Sequence, residues 1–348
     1  MIKYPEYVDT DAVDQAFARI AQAVMQRRVE FLFGAGMSVD SGVPAGPQLA
    51  QKLLRLFFPE TGASPPSDKR LAEWAREIPF ELLVEGVESS RGKNRADLTQ
   101  DLSTLLLAPD YDISDAHRHL LAVCNWLGSP PVVNRIFTTN FDGLLDKAFG
   151  RLGKRITHAN TREIVDAQRT GLVPILYLHG TIEDSSYRIT ESDVFDPSFN
   201  SLQTMFRTAL ADADAFVFVG YSMNDPDLRR VYRDYRSDIA SRRELAKSSY
   251  VVGPAADSYE YRLGRKLWEV RGAIWLPFTA ADFFSQLKTI LEGQSDNLVR
   301  HFIMQKYRLK TDEEYQDKVN QTSEILHISE NDAIRFLAEA HTKTGKPS

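Results

Sequence analysis

Four short segments of this chain set glycine beside polar side chains in ways that could do chemistry. In Phe33-Gly34-Ala35-Gly36-Met37-Ser38 two glycines follow an apolar run and precede a helical pattern. There, backbone N–H groups can approach a pyrophosphate and a helix dipole favours negative charge. Val39 stands where a full G-x-G-x-x-G pattern needs its third glycine, so a plain tight turn fits equally well. Phe137-Thr138-Thr139-Asn140-Phe141-Asp142-Gly143 offers several polar groups at a strand end, either as ligands or, for Asn140 and Asp142, as caps for the next helix. Tyr177-Leu178-His179-Gly180-Thr181 supplies an imidazole that can move protons near neutral pH, a natural general base, against the plainer role of a structural hydrogen-bonder. Gly220-Tyr221-Ser222-Met223-Asn224-Asp225 ends in groups suited to the ribose and phosphate of an adenosine half. The same groups could form an Asx-type turn opening a helix at Pro226.

These loops need elements to hold them. Val13, Phe17, Ile20, Ala21 and Val24 fall on one face at helical spacing, which predicts a helix from Asp11 to Arg28. The run Val29–Phe33 then reads as a buried strand broken by Gly34, and a second helix follows from about Gly46. From about 59 to 131 the apolar spacing is helical, which predicts a helical insertion. Apolar strands return at Val132–Thr138, Pro174–Leu178, Ala215–Val219, Ser249–Val252 and Ala273–Leu276, most separated by helical patterns, notably 142–152 and 227–241. Fully apolar strands alternating with helices predict a Rossmann-like α/β fold, a parallel sheet with helices on both faces. In such a sheet, ligands bind at the carboxyl ends of the strands. All four segments end strands, so all four fall on that edge. Beyond Ala280 the chain reads as a helical tail, with a capping box at Thr311-Asp312-Glu313-Glu314. The expected division is 1–293 as the nucleotide-binding catalytic domain and 294–348 as a helical extension for oligomer or partner contacts.

Composition excludes several classes. With 348 residues, 43% hydrophobic and 26% charged, the chain reads as an ordinary globular protein. A net charge of −6 gives no overall pull toward nucleic acid or an anionic membrane, and no direct nucleic-acid binding is expected. Arg229, Arg230, Arg233 and Arg236 cluster, as do Arg242 and Arg243, which a solvated helix face explains most simply. The single cysteine, Cys124, reads as a buried structural thiol, and no Cys/His set has zinc spacing, so no metal is expected. Neither a signal peptide nor a membrane-length apolar run is present in the pattern, and a cytoplasmic protein is expected.

As an ordered set, these residues resemble the sirtuin superfamily. The Gly-Ala-Gly-x-Ser loop is Gly34-Ala35-Gly36-Met37-Ser38, the Thr-x-Asn-x-Asp segment is Thr138-Thr139-Asn140-Phe141-Asp142, the His-Gly pair is His179-Gly180, and the later Gly-x-Ser loop is Gly220-Tyr221-Ser222. Ser41-Gly42-Val43-Pro44 is similar to the Ser-Gly-Ile-Pro stretch by the nicotinamide pocket. The chain departs from deacetylase sirtuins in Ala45-Gly46-Pro47, in the Thr-Thr-Asn form and in lacking the four-cysteine zinc module. Those departures are similar to the sirtuin-like NADases of bacterial antiphage defence.

The resemblance implies hydrolysis of the nicotinamide–ribose bond of NAD+. It implies His179 and Asn140 as catalytic groups, with Asn140 on the nicotinamide ribose and the attacking water. The Gly34, Ala35, Gly36 and Ser38 amides would hold the diphosphate, and Asp142 the carboxamide, beside Thr138 and a pocket shaped by Val43 and Pro44. Gly220, Tyr221, Ser222 and Asp225 would hold the adenosine side. A homo-oligomer is implied, as is a separate activating partner such as a DNA-translocating ATPase. An NAD+-dependent deacylase and a non-catalytic sensor of NAD+ or ADP-ribose are the alternatives. A hydride-transfer dehydrogenase fits less well, because the dinucleotide fingerprint is incomplete.

Overall fold

The computed structural model describes residues 10–60, 66–90, 95–126, 131–157, 161–194, 200–222, 225–242, 248–254, 259–293, 300, 303–304 and 307–339. Met223 and Asn224 of the fourth segment lie outside them. The centre is a parallel sheet of seven strands: β1 (Val29–Phe33), β2 (Ile136–Thr138), β3 (Gly153–Ile156), β4 (Val173–Tyr177), β7 (Ala215–Val219), β8 (Ser248–Gly253) and β9 (Ala273–Pro277). Their order is β3-β4-β2-β1-β7-β8-β9. The chain places β2, β3 and β4 on one side of β1 and β7, β8 and β9 on the other, so the switch point lies between β1 and β7, where open α/β sheets bind ligands. In register, Phe33 faces Thr138 on one side and Val219 on the other. The loops after β1, β2 and β7 therefore start level with one another.

Side-chain alternation explains why both faces are covered. Phe31, Phe33, Val217, Val219, Ile175 and Tyr177 join one cluster with α1 (Thr10–Met25), α6 (Asp115–Cys124) and α13 (Ala280–Gly293). Leu32, Phe216, Phe218 and Leu176 join another with α8 (Thr161–Arg169), α10 (Asn200–Asp212), α11 (Pro226–Arg242) and α12 (Tyr259–Val270). A period of two in a strand buried on both sides produces this split. The α/β class expected from the apolar runs is the observed one.

Just ahead of and within the 59–131 stretch expected as a helical insertion, α2 (Gly46–Glu60), α3 (Asp68–Glu77), α4 (Phe80–Ser90) and α5 (Arg95–Leu106) form one helical group. It closes two smaller cores, one of which takes in Leu144, Ile182, Tyr187 and Ile189 from the loops above the sheet's carboxyl edge. α6 falls inside the stretch expected as insertion, yet it lies against α13 in the sheet's own layer. Its apolar face, Ala116, Leu120 and Val123, meets the sheet core directly. Two elements have no counterpart in the apolar pattern: the edge strand β3 and the short antiparallel hairpin β5 (Gly180–Thr181) with β6 (Ser186–Tyr187). α7 (Leu144–Phe149) is shorter than the 142–152 pattern, and α9 (Glu191–Val194) is one turn. In the tail, α14 (Asp312–Leu326) and α15 (Glu330–Glu339) close a small core of Ile303, Tyr315, Val319, Ala333 and Leu337. The Thr311–Glu314 capping box is present. Cys124 is buried, and burial pushes its thiol far up, away from nucleophile chemistry. Among the described residues no helix is long and apolar enough to cross a membrane, and no group of three His, Cys, Asp or Glu could hold a metal ion.

Candidate active site

The four segments lie side by side on the sheet's carboxyl edge, tied by backbone bonds. Thr139 N–H donates to Phe33 O (3.0 Å), Leu178 N–H to Thr138 O (2.9 Å), Gly34 N–H to Val219 O (3.0 Å) and Gly220 N–H to Val252 O (3.2 Å).

The glycine loop is built differently from the expectation. Gly36 N–H donates to Gly220 O (2.9 Å), Met37 N–H to Gly34 O and Ser38 N–H to Ala35 O. With Gly34 N–H already bonded, four of the five amides are committed to backbone. This corrects the reading that Gly34, Gly36 and Ser38 offer N–H groups to a diphosphate. Only exposed Ala35 remains for such contact among the loop's described amides. The glycines serve a crossing of two loops instead. A Cβ on Gly36 would stand 2.7 Å from Gly220 Cα, and one on Gly220, whose φ is +62°, would stand 2.6 Å from Gly36 C. Only glycine permits that approach.

The second loop gathers polar side chains that are nearly closed off from solvent. Asn140 Nδ2 donates to Ser38 Oγ at 3.1 Å, joining the loops after β2 and β1. Asn140 Oδ1 is buried with no partner among the described residues, an acceptor open to a donor. Asp142 Oδ1 accepts Leu144 N–H at 3.1 Å, so the capping role holds for this residue. Burial pushes the Asp142 carboxyl up, against the hydrogen bonds from Leu144, Ser38 and Asn140. Thr138 is a correction: its hydroxyl donates to Phe33 O and accepts Asn140 N–H, which makes it a fully buried positioning group.

His179 sits where β4 gives way to the β5–β6 hairpin. Gly180, at φ +71°, is forced by that hairpin, because a Cβ would fall 1.7 Å from Ser186 O. Arg188 N–H closes the turn on His179 O at 2.8 Å. The imidazole Nε2 lies 2.5 Å from Asp225 Oδ2, with both side chains largely buried. Asp225 Oδ1 meanwhile accepts the N–H groups of Asp227 (2.9 Å) and Leu228 (3.2 Å), capping α11. One carboxylate thus starts a helix and orients a histidine. Burial alone would raise the Asp225 carboxyl, but the charge and hydrogen bond of His179 outweigh it and hold it below its ordinary range. Asp225, expected on the adenosine side, has one carboxylate oxygen on His179 and the other on the start of α11. The ring of Phe141 lies 6.2 Å from that of His179, which brings the Asn140 loop against the imidazole.

Other expected residues divide. Tyr221 is buried and stacks on Phe218 with Trp268 alongside, which makes it part of the core and corrects its ligand role. Ser222 is exposed. Val43 is buried in one of the smaller cores, against which Tyr111 and Phe141 also pack, and Pro44, next in sequence, is buried too. Sequence reasoning missed Glu81, at the start of α4. Its carboxyl is within electrostatic reach of Asp225, His179 and Asp227, and burial pushes it up. The insertion is fastened over this corner by Ser192 Oγ to Glu85 (2.7 Å), Thr99 with Tyr187 (2.7 Å) and Arg95 to Tyr187 O (2.9 Å). Nothing near Glu81 in the sequence marks it, because its partners come from other elements.

Comparison with known proteins gives three findings. Residues 134–273 match the SIR2-like domain family. The NAD(+) hydrolase ThsA of Enterococcus faecium is 22% identical over 302 residues, which is 82% of this chain and 59% of that protein; the chain thus spans well under two thirds of its relative's length. A solved chain from work on the mechanism and regulation of Sir2 enzymes is 13% identical, covers 82% of this chain and 99% of its own, and superposes with a TM-score of 0.44. The matched segment runs from just before β2 to the start of β9, so the stretch that brings Asn140, Asp142, His179 and Asp225 to one edge is the stretch similar to that family.

Proposed function

We propose that the protein is an NAD+ hydrolase that cleaves the nicotinamide–ribose bond to give nicotinamide and ADP-ribose. The observation that carries this is the His179–Asp225 pair, set on the same sheet edge as the orphaned Asn140 acceptor, with the Phe141 ring 6.2 Å from the imidazole. Asp225 occupies Nε2, which leaves Nδ1 to accept a proton, and the carboxylate stabilises the imidazolium that forms. In the reaction the C1′–N bond breaks, and its electron pair goes to the pyridinium nitrogen and neutralises it. A water oxygen then bonds C1′ of the oxocarbenium-like ribose, and its proton passes to His179. Asn140 Oδ1 accepts from a ribose hydroxyl or that water, and Asp142 lies beside the carboxamide. The diphosphate takes Ala35 N–H. The name of the E. faecium relative supports NAD+ as substrate.

The family resemblance supports a finer reading: a regulated antiphage effector that depletes cytoplasmic NAD+, works as a homo-oligomer and answers to a separate activating protein. Leu263, Leu267, Val270 and Ile274 form an exposed apolar stripe along α12 and the edge strand β9, a surface suited to self-association. In this reading 1–293 is the catalytic domain and 294–348 serves oligomer or partner contacts.

The test is to incubate the protein with NAD+ and resolve nicotinamide, ADP-ribose and cyclic ADP-ribose. The account expects nicotinamide and linear ADP-ribose in equal amounts, and both nearly lost in His179→Ala, since general base catalysis is worth about 10²–10⁴-fold. Parent-level turnover in both His179→Ala and Asn140→Ala would end it. Nicotinamide release only with an acetylated peptide would point to a deacylase, and binding without turnover to a sensor.

A further inference from the structure

Four hydrogen bonds close a ring around the candidate catalytic pair, and two of its members have no part in the reaction described above. The β5–β6 hairpin brings Arg188 back beside His179, where Arg188 N–H donates to His179 O at 2.8 Å. The Arg188 guanidinium reaches the other way: its Nη2 donates to Asp227 Oδ2 at 2.7 Å. Asp227 N–H donates to Asp225 Oδ1 at 2.9 Å, and Asp225 Oδ2 meets His179 Nε2 at 2.5 Å. The hairpin that carries the imidazole and the start of α11 that carries its carboxylate are thus joined twice, once through the pair itself and once behind it. Gln203 Nε2, from α10, donates to the same Asp227 Oδ2 at 3.0 Å, and exposed Arg230 approaches Oδ1 at 3.7 Å.

Arg188 is 4% exposed and Asp227 7%. Taking two charges out of water is costly, and their attraction repays little more than that cost, so a buried ion pair adds little net stability over an apolar pair of similar size. What it adds is direction, because a planar guanidinium donates to carboxylate oxygens in few geometries. The link behind the pair matters chemically because the imidazole changes charge during turnover. The attraction between His179 and Asp225 rises and falls with that proton. The attraction between Arg188 and Asp227 stays constant and holds the two loops at one separation. We propose that Arg188 and Asp227 are positioning residues that keep His179 and Asp225 in register through the catalytic cycle, a role that rests on the hydrolysis proposed above.

The test replaces the pair together, Arg188→Met with Asp227→Leu, because removing one partner alone strands the other as a buried charge. In the full chain this double variant should keep the parent's denaturant midpoint. Its kcat for nicotinamide release should fall about 10- to 10²-fold with KM little changed, the scale expected of a misplaced catalytic group. Arg188→Lys, which keeps the charge and loses the planar fork, should fall in between. A second readout needs no turnover: the imidazole proton shared by His179 and Asp225 should give a downfield NMR resonance in the parent, absent from His179→Ala and broadened or lost in the double variant. Replacing another buried pair, Glu30 with Arg135 at 3.0 Å, by Glu30→Leu with Arg135→Met should leave kcat and the resonance as in the parent. If the parent releases no nicotinamide, the proposed reaction fails and the resonance alone decides the positioning. A folded double variant with parent-like kcat and resonance overturns the proposal. So does an equal loss in the Glu30–Arg135 variant, which would mark a general effect of removing buried charge.

Discussion

The carboxyl edge of the sheet has two halves that began with similar sequence credentials and were built for different ends. On the β1–β7 side, the loops at Gly34–Ser38 and Gly220 cross at van der Waals limits, and Gly36 N–H donates to Gly220 O across the crossing. On the β2–β4 side, Asn140 keeps a buried acceptor open, and His179 is held by a carboxylate from across the switch point. The first half spends its hydrogen bonds on itself; the second leaves some for a ligand. A glycine-rich turn beside polar loops therefore marks scaffold as readily as it marks a phosphate cradle.

Substitutions should separate the halves, and the largest effects fall on the scaffold. Gly220→Ala puts a Cβ into Gly36 at a positive φ, and a loss on the order of 3 kcal/mol is expected from strain and overpacking together, read as a fall in the denaturant midpoint. His179→Ala should do the reverse, lowering turnover by about 10²–10⁴-fold with little change in that midpoint. Asp225→Asn keeps an oxygen for the α11 cap but removes the charge on His179, so turnover should fall about 10²-fold or more while far-UV circular dichroism is retained; Asp225→Ala should add about 1 kcal/mol of destabilisation from the lost cap.

Smaller effects come from charges set back from the reacting atoms. Glu81→Gln removes a negative charge within reach of His179. The site then holds a proton less tightly, and the acid limb of the pH–rate profile should move to lower pH, with the plateau little altered. The smallest lies at the opposite edge. Burial pushes the Glu30 carboxyl up to about 7 against the pull of Arg135. A folded value above the unfolded one means the native state binds more protons between about pH 4.5 and 7, so this group's contribution to stability falls as pH rises through that window. Glu30→Gln loses the Arg135 pairing, yet its stability relative to the parent should improve from pH 5 to pH 8; a constant difference would contradict the buried-carboxylate account.

Much of the fold was legible because both faces of the sheet are buried. Runs such as Ala215–Val219 carry no polar residue, and their alternation feeds two separate cores. β3 was not legible: Gly153-Lys154-Arg155-Ile156 is an edge strand whose charged residues reach solvent or, for Arg155, Asp146. The β5–β6 hairpin has two residues per strand, too few for any period. In the site, sequence order located His179 and Asn140 but could not pair them with their partners. His179 and Asp225 are 46 residues apart, and Asp225-Pro226 announced only a helix start, which accounts for one of its two carboxylate oxygens. Tyr221 and Thr138 carried polar groups in the right places, and packing took both.

The central claim is that His179 and Asp225 act as one unit on the glycosidic bond. A double-mutant cycle on nicotinamide release measures it directly, with the parent, His179→Ala, Asp225→Asn and the double variant compared at equal fold content. If the pair is one unit, the double variant should be no slower than His179→Ala alone. Multiplying penalties, or a parent-like rate in either single variant, would contradict it.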